Sequence, residues 1–434
     1  MMNFLIVAVP ESEKSRYTGC LMSVEVTDIR RQFPFLREHI NGRPVVYLDS
    51  ASSAQKPERV LEAMKTHDET SSANVHRGMY DLAERATAAY EGARETVRKF
   101  INAQHSDEII FTKGTTESIN LIARSLGSTM KKGDAVLLSL LEHHSNIVPW
   151  LQLKNERGID VRWMEMDDEG RVDLESMKKQ LRHPEPAEGH VKIVSVTGQS
   201  NVLGTRPPIA EMIQIAHEHG SLMCIDAAQL IGHAPVDVQL LDCDFLAFSG
   251  HKLYGPTGIG VLYGKRQLLK DMPPFLGGGM MIREVTRESF TTADAPAKFE
   301  AGTPPITQAI GLAAAIDWQK QFSWNDRAAH EHELLQTALD ELSKIKGLRI
   351  LGPKNADEIS GCISFTIDGL HPHDLADLLG QQGICIRAGH HCTQPLHERL
   401  KLIASARISI GIYNTVDEIR LLPDAINQAV TKLG

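Results

Sequence analysis

Cysteine is scarce in this sequence and never sits in the close pairs that redox or structural metal sites use. The six cysteines, at positions 20, 224, 243, 362, 385 and 392 of 434, include no CxxC pair. That excludes a disulfide scaffold and fits reduced thiols in a cytoplasmic setting. Long apolar runs are also missing. Nothing approaches the roughly 20 residues of a membrane span, so no membrane partner is expected. Basic runs are absent too, and the formal net charge is -9, which argues against binding nucleic acid. The opening MMNFLIVAVP has a short apolar run but no basic flank, and charged ESEKSR follows it in place of a cleavage site, so a signal peptide is not expected. Because Met22 introduces SVEVTDIRRQFPFL, which reads as a helix capped by Thr27 or Asp28, residues 1–22 are read as an N-terminal extension or a misassigned start.

What is present is a full core. With 42% hydrophobic and 23% charged residues, the chain exceeds one average domain. From about residue 107 apolar runs alternate with helical patterns: EIIFT with TTESINLIARSL, DAVLLSL with HHSNIVPWLQLKN, VKIVSV with PIAEMIQIAHEHG, then SLMCIDAAQ. That alternation predicts an α/β fold with a mostly parallel sheet, whose carboxyl strand ends gather the chemistry. Glycine and proline crowd residues 273–279 and 296–305, which sets the expected domain boundary near 300. An N-terminal arm and large domain are expected over 23–300. A smaller α+β domain is expected over 301–434, with a helix in AAHEHELLQTALDELSKI and strands in GCISFTI and ARISIGI.

Three segments carry chemistry. In FTKGTTESIN a strand runs into Gly114, Thr115 and Thr116 and opens a helix, an arrangement that suits a phosphate. In CIDAAQ, Asp226 ends an apolar strand and Gln229 follows. In FSGHKLYGPTGIGVLYG a strand ends at Ser249, and His251 and Lys252 follow one glycine later; a lysine desolvated in such a turn can form a Schiff base. A phosphate cradle, a strand-end aspartate and a following lysine are together what pyridoxal 5'-phosphate requires, and a histidine of EHHSN offers a stacking face. The stretch IRAGHHC, Ile386 to Cys392, leaves three readings open: metal ligands, buried filler or a nucleophilic thiol. The histidine groups HEHG and HEHEL lack the spacing of a zinc protease site and read as solvated helix faces.

The segments SGHKLYGPTGIG, YLDSASSAQKP, NVHRGMYDLAERAT, GTTESIN, EHHSNIVPW, SNVLG, FEAGTP, RAGHHC and ARISIGIYNT, which occur in family order and cover nearly the whole chain from about residue 27, resemble the SufS-type (group II) cysteine desulfurases of the class V aminotransferase family. The resemblance implies the fold type I architecture of pyridoxal-phosphate enzymes, with a seven-stranded sheet. It implies that Lys252 carries the cofactor, Asp226 pairs its pyridine nitrogen, Gln229 bonds its phenolic oxygen and His143 stacks on its ring. Thr115, Thr116, Ser249 and His251 would hold its phosphate, with Thr303 from the partner of a homodimer that shares its active sites. Asn201 and Arg407 match the residues that hold the substrate carboxylate, and His76, Arg77 and Arg387 those lining the substrate and persulfide site. Cys392 would be the nucleophile that takes sulfur from L-cysteine and passes it to a SufE-like or SufU-like acceptor for iron–sulfur cluster assembly. L-selenocysteine is a second candidate substrate, and selenocysteine lyase or another class V activity the alternative. No metal is expected. Lys113, Gly198, Gln199 and Ala297 depart from the family pattern.

Overall fold

A computed structural model describes residues 25–182 and 189–433. The expected extension over 1–22, and Cys20 with it, lies outside the described residues. The helix read from SVEVTDIRRQFPFL spans Val26–Arg31 and follows Glu25, with no side-chain cap bond. Thr27 and Asp28 are therefore inside its first turn and do not cap it; Asp28 instead pairs with Arg31 at 2.8 Å.

Seven strands build the central sheet. They are β1 (Ile109–Thr112), β2 (Ala135–Ser139), β3 (Asp160–Met164), β4 (Val191–Thr197), β5 (Leu222–Asp226), β6 (Phe245–Ser249) and β7 (Gly260–Gly264). Their order across the sheet is β1-β7-β6-β5-β4-β2-β3. Every pair from β6 through β5, β4 and β2 to β3 is parallel, and β7 runs antiparallel to both β6 and β1. The sequence of these strands is almost continuously apolar because both faces are covered. Val136, Leu138, Ile193 and Cys224 enter one core cluster, while Leu137, Val194, Met223 and Ile225 enter the other. The carboxyl ends of six strands, from Thr112 to Ser249, consequently open on one edge.

Helices α1 (Glu58–Thr70) and α2 (Asp81–Phe100) precede this sheet, and α3 (Thr115–Ser125) follows β1 directly. Helix α4 (Ile306–Gln319) packs against α1 and α2, and its Ala309, Leu312 and Ile316 join the larger core cluster. Helix α5 (Trp324–Ser343) then opens a third cluster, which draws on residues 334–429 together with Val46 and Leu48. Around it stands a four-stranded antiparallel sheet of β8 (Leu348–Leu351), β9 (Cys362–Ile367), β10 (Arg387–Gly389) and β11 (Ser405–Ser409), in the order β8-β9-β11-β10. The segment Val46–Tyr47 pairs in parallel with Ile384–Cys385, so the arm before α1 is laced into this second unit. Among the described residues no helix is long and apolar enough to cross a membrane.

Candidate active site

The site forms where strand ends, helix starts and the β10–β11 edge converge. At the end of β1 the chain turns at Gly114, whose φ of +156° suits glycine, and α3 begins at Thr115 with its first N–H groups unused by the helix. Thr115 N–H donates to Ser249 Oγ at 2.8 Å, and the two hydroxyls lie 2.7 Å apart. Strand β7 can lie against this turn only because residue 260 is glycine: a Cβ there would stand 2.3 Å from Gly114 Cα. Thr116 is exposed beside Thr115. His251 is half-buried, and burial with Lys252 and Lys56 nearby lowers its pKa to about 4. The result is a donor-rich corner at a helix N-terminus, with a neutral imidazole and two lysines nearby.

Asp226 ends β5 and is buried, accepting Ala228 N–H at 2.9 Å. Burial raises its pKa, while the Ala228 N–H and Lys252 act in the other direction. Gln229 is buried and donates to Ala51 O at 2.8 Å. Lys252 closes the short turn after β6. Desolvation lowers its amine to about 8; Asp226 and Cys392 oppose that shift, and Arg407 and Arg387 reinforce it. These four groups are therefore the electrostatic neighbours of one lysine, although the sequence spreads them from 226 to 407. His143, at the end of the β2 segment, accepts Ser145 N–H on Nδ1 at 3.1 Å. Burial, with Lys252, His144 and Arg407 nearby, depresses it to about 3, so the ring is neutral, with its proton on Nε2.

Cys392 is exposed and has φ +57°, after His391 at +50°. Its carbonyl is pinned by His144 N–H at 2.7 Å, and Asn201 Nδ2 donates to His391 O at 2.8 Å. The two histidines of the stretch part company. His391 is buried, with Nε2 3.1 Å from both Ser405 O and Ser405 Oγ. Burial, with Arg407 and His397 nearby, lowers its pKa to about 2, so it cannot offer positive charge to the thiol. His390 is exposed, edge-on to His397. Among the described residues no group of three or more His, Cys, Asp or Glu is placed to hold a metal ion.

Arg407 is buried on β11 and donates Nη1 to Asn201 O at 2.8 Å. Arg387 stands opposite it on β10. His76, Arg77 and Thr303 are not brought to this group within one chain. All three are exposed; His76 bonds Glu91 at 2.9 Å. Glu91 and Glu300 both pair with buried Arg94, at 3.0 and 2.7 Å. One buried guanidinium thus ties the loop of His76 and Arg77 to the segment leading to Thr303.

Sequence reasoning missed Glu142 and Asn146, which underpin His143. Glu142 is buried and pushed up to about 8 by desolvation, and Asn146 donates to it at 2.7 Å while accepting from Ser195 Oγ at 2.6 Å. The EHHSN spelling was the available signal. The HEHEL reading also needs correcting, because Glu331 is not on a solvated face: it accepts from Ser360 Oγ and Gly361 N–H and pairs with His233 at 2.6 Å. Gln199 and Gly198 sit in the same region, Gln199 accepting from Arg206 Nε at 3.0 Å, and a Cβ on Gly198 would meet Leu230 at 2.8 Å.

The pattern of the class-V aminotransferases matches residues 46–422. The chain belongs to the aminotransferase class-V family. Within that family it is 46% identical over 412 residues to a protein of Streptomyces coelicolor named "Probable cysteine desulfurase", covering 94% of this chain and 97% of that one. It is 44% identical over 420 residues to a cysteine desulfurase of Haloferax volcanii, covering 94% and 97%. The fold matches the crystal structure of the cysteine desulfurase CsdA from Escherichia coli with a TM-score of 0.86 at 40% identity, over 95% of this chain and all of that one. The class-V fold accounts for the seven-stranded sheet and the smaller antiparallel unit described above.

Proposed function

We propose that this protein is a pyridoxal-phosphate-dependent cysteine desulfurase of the SufS type, converting L-cysteine to L-alanine and holding the sulfur as a persulfide on Cys392. The observation that carries this reading is that Asp226, Arg407 and Cys392 all lie near enough to buried Lys252 to act on its charge, with Arg407 and the Cys392 turn both tied to Asn201. The donor set fits the cofactor. Thr115, Thr116, Ser249 and His251 would hold its phosphate at the start of α3, joined by Thr303 of a second copy. Asp226 would keep its ring nitrogen protonated, Gln229 would bond its phenolic oxygen, and the neutral His143 ring would lie on its face. When bound, pyridoxal phosphate supplies the Schiff-base carbon and the electron sink for a carbanion at the amino acid's Cα.

The chain's own groups do the rest. Arg407 and Asn201 receive the substrate carboxylate, a charge-assisted contact. Lys252, with its amine lowered to about 8, is poised to take and return a proton near neutrality. Cys392 Sγ forms an S–S bond to the substrate sulfur as the substrate C–S bond breaks; the electron pair returns to the carbon skeleton, which takes up a proton and leaves as L-alanine. Because Cys392 is exposed, the persulfide is open to an acceptor thiol of a SufE-like or SufU-like protein in the cytoplasm, feeding iron–sulfur cluster assembly. The loops of His76, Arg77 and Thr303 complete the site of the other subunit in a homodimer.

The test is an assay of alanine and sulfide from L-cysteine with a reductant present. The wild-type holoenzyme should form both in equal amounts, and Lys252→Ala should lose at least about a thousandfold in rate, as expected when a general base and covalent anchor go together. Undiminished alanine formation by Lys252→Ala would overturn the reading.

A further inference from the structure

Arg387 and Arg407 face each other in register across the β10–β11 ladder, where like charges are ordinarily unfavourable. A third residue, far away in sequence, resolves this. Asp49 Oδ1 accepts from Arg407 Nη2 at 3.1 Å and from Arg387 Nε at 3.1 Å, and Oδ2 accepts from Arg387 Nη2 at 3.0 Å. Arg387 Nη2 also donates to Ser52 Oγ. Asp49 is itself fixed, by a parallel bridge to Ser409 and by Ser52 N–H donating to its carbonyl at 3.0 Å.

Arg407 is 2% exposed, yet among the described residues its Nε has no hydrogen-bond partner. A guanidinium takes a carboxylate best along one edge, by two parallel N–H bonds. The Nε–Nη2 edge of Arg407 therefore has one donor occupied by Asp49 and the other buried and open. The cluster of two guanidiniums and one carboxylate has a net charge of +1, which a single further carboxylate neutralises.

We propose that Asp49 is a positioning residue and a specificity determinant: it holds Arg407 and Arg387 side by side and limits their joint charge, so that the pocket takes amino acids with one carboxylate and rejects those with two. This rests on the reading that Arg407 receives the substrate carboxylate. Removing the Asp49 charge leaves a +2 pair suited to a dicarboxylate, while a merely structural role would weaken every ligand alike.

Equilibrium titration of the holoenzyme with L-alanine and with L-aspartate tests it. Wild type should prefer L-alanine. Asp49→Asn should shift the ratio of the two dissociation constants toward L-aspartate by about tenfold or more, the size expected for one nearby charge; Asp49→Glu should restore the L-alanine preference. Asp49→Ser provides the same comparison should Asp49→Asn not fold. An unchanged ratio, or equal weakening for both amino acids, would overturn the proposal. Failure of the underlying reading looks different: Arg407→Gln would then leave L-alanine affinity unchanged, whatever Asp49 does.

Discussion

At the scale of single residues, the account turns on a lysine whose environment favours its neutral form. Burial lowers Lys252 to about 8 while Asp226 opposes it. The neutral fraction of the amine, and with it the rate at which the cofactor-free protein captures pyridoxal phosphate, should be half-maximal near pH 8 and rise with pH. An ordinary lysine would place that midpoint near 10.4. Stopped-flow absorbance across pH measures it, and Asp226→Asn should move the midpoint lower, because the carboxylate holds the ammonium form. Lys252 and Asp226 stand out in the sequence because each sits at a strand end or in a glycine-flanked turn, whereas Cys392 is singled out as a nucleophile only by the family resemblance. Asp49 and Glu142 do not stand out. Asp49 reads as a loop carboxylate until folding brings it to Arg387 and Arg407, 338 and 358 positions away. Nor does the sequence tell the two histidines before Cys392 apart, and only the fold turns His391 inward, onto Ser405.

At the scale of elements, strand β7 and the turn before α3 act as one unit. A Cβ at residue 260 would lie 2.3 to 2.7 Å from Gly114 backbone atoms, closer than van der Waals contact permits, so one of the two segments must shift. Gly260→Ala should weaken cofactor binding by at least about tenfold, equivalent to the 1–3 kcal/mol typical of overpacking, while the far-ultraviolet circular dichroism stays that of the wild type. Equilibrium dialysis with pyridoxal phosphate checks it. The parallel strands were legible because they are apolar on both faces. Edge strand β3 was not, since Asp160 is exposed, Val161, Arg162 and Trp163 are half-buried and only Met164 is buried, so it has no long apolar run. Nor was the hairpin of Ile282–Val285 and Phe290–Thr292, which lies beside the glycine-rich stretch that reads as a boundary.

At the scale of the whole molecule, the geometry splits the candidate residues into two groups. Asp226, Arg407 and Cys392 act on the charge of Lys252 within one chain, while His76, Arg77 and Thr303 are exposed. Met79, 95% exposed, Tyr80 and Leu82 continue the same surface, apolar exposure that the proposed homodimer would cover. If the proposed homodimer forms through this surface, Met79→Glu should shift it toward monomer and lower its cofactor occupancy, since the proposed contact of Thr303 with a neighbouring phosphate site would be lost. Sedimentation velocity and absorbance of the same sample report both effects. This division was legible only through the family resemblance, because no local pattern tells which copy a loop serves.

In the proposed reaction, sulfur leaves the substrate by way of Cys392. The most direct measurement is peptide mass spectrometry of the holoenzyme after a single turnover with L-cysteine and no reductant. The account predicts one additional sulfur atom on the peptide containing Cys392, with L-alanine released in equal amount, and neither product from Cys392→Ala. Additional sulfur on Cys385 instead, or L-alanine formed at the wild-type rate by Cys392→Ala, would contradict it.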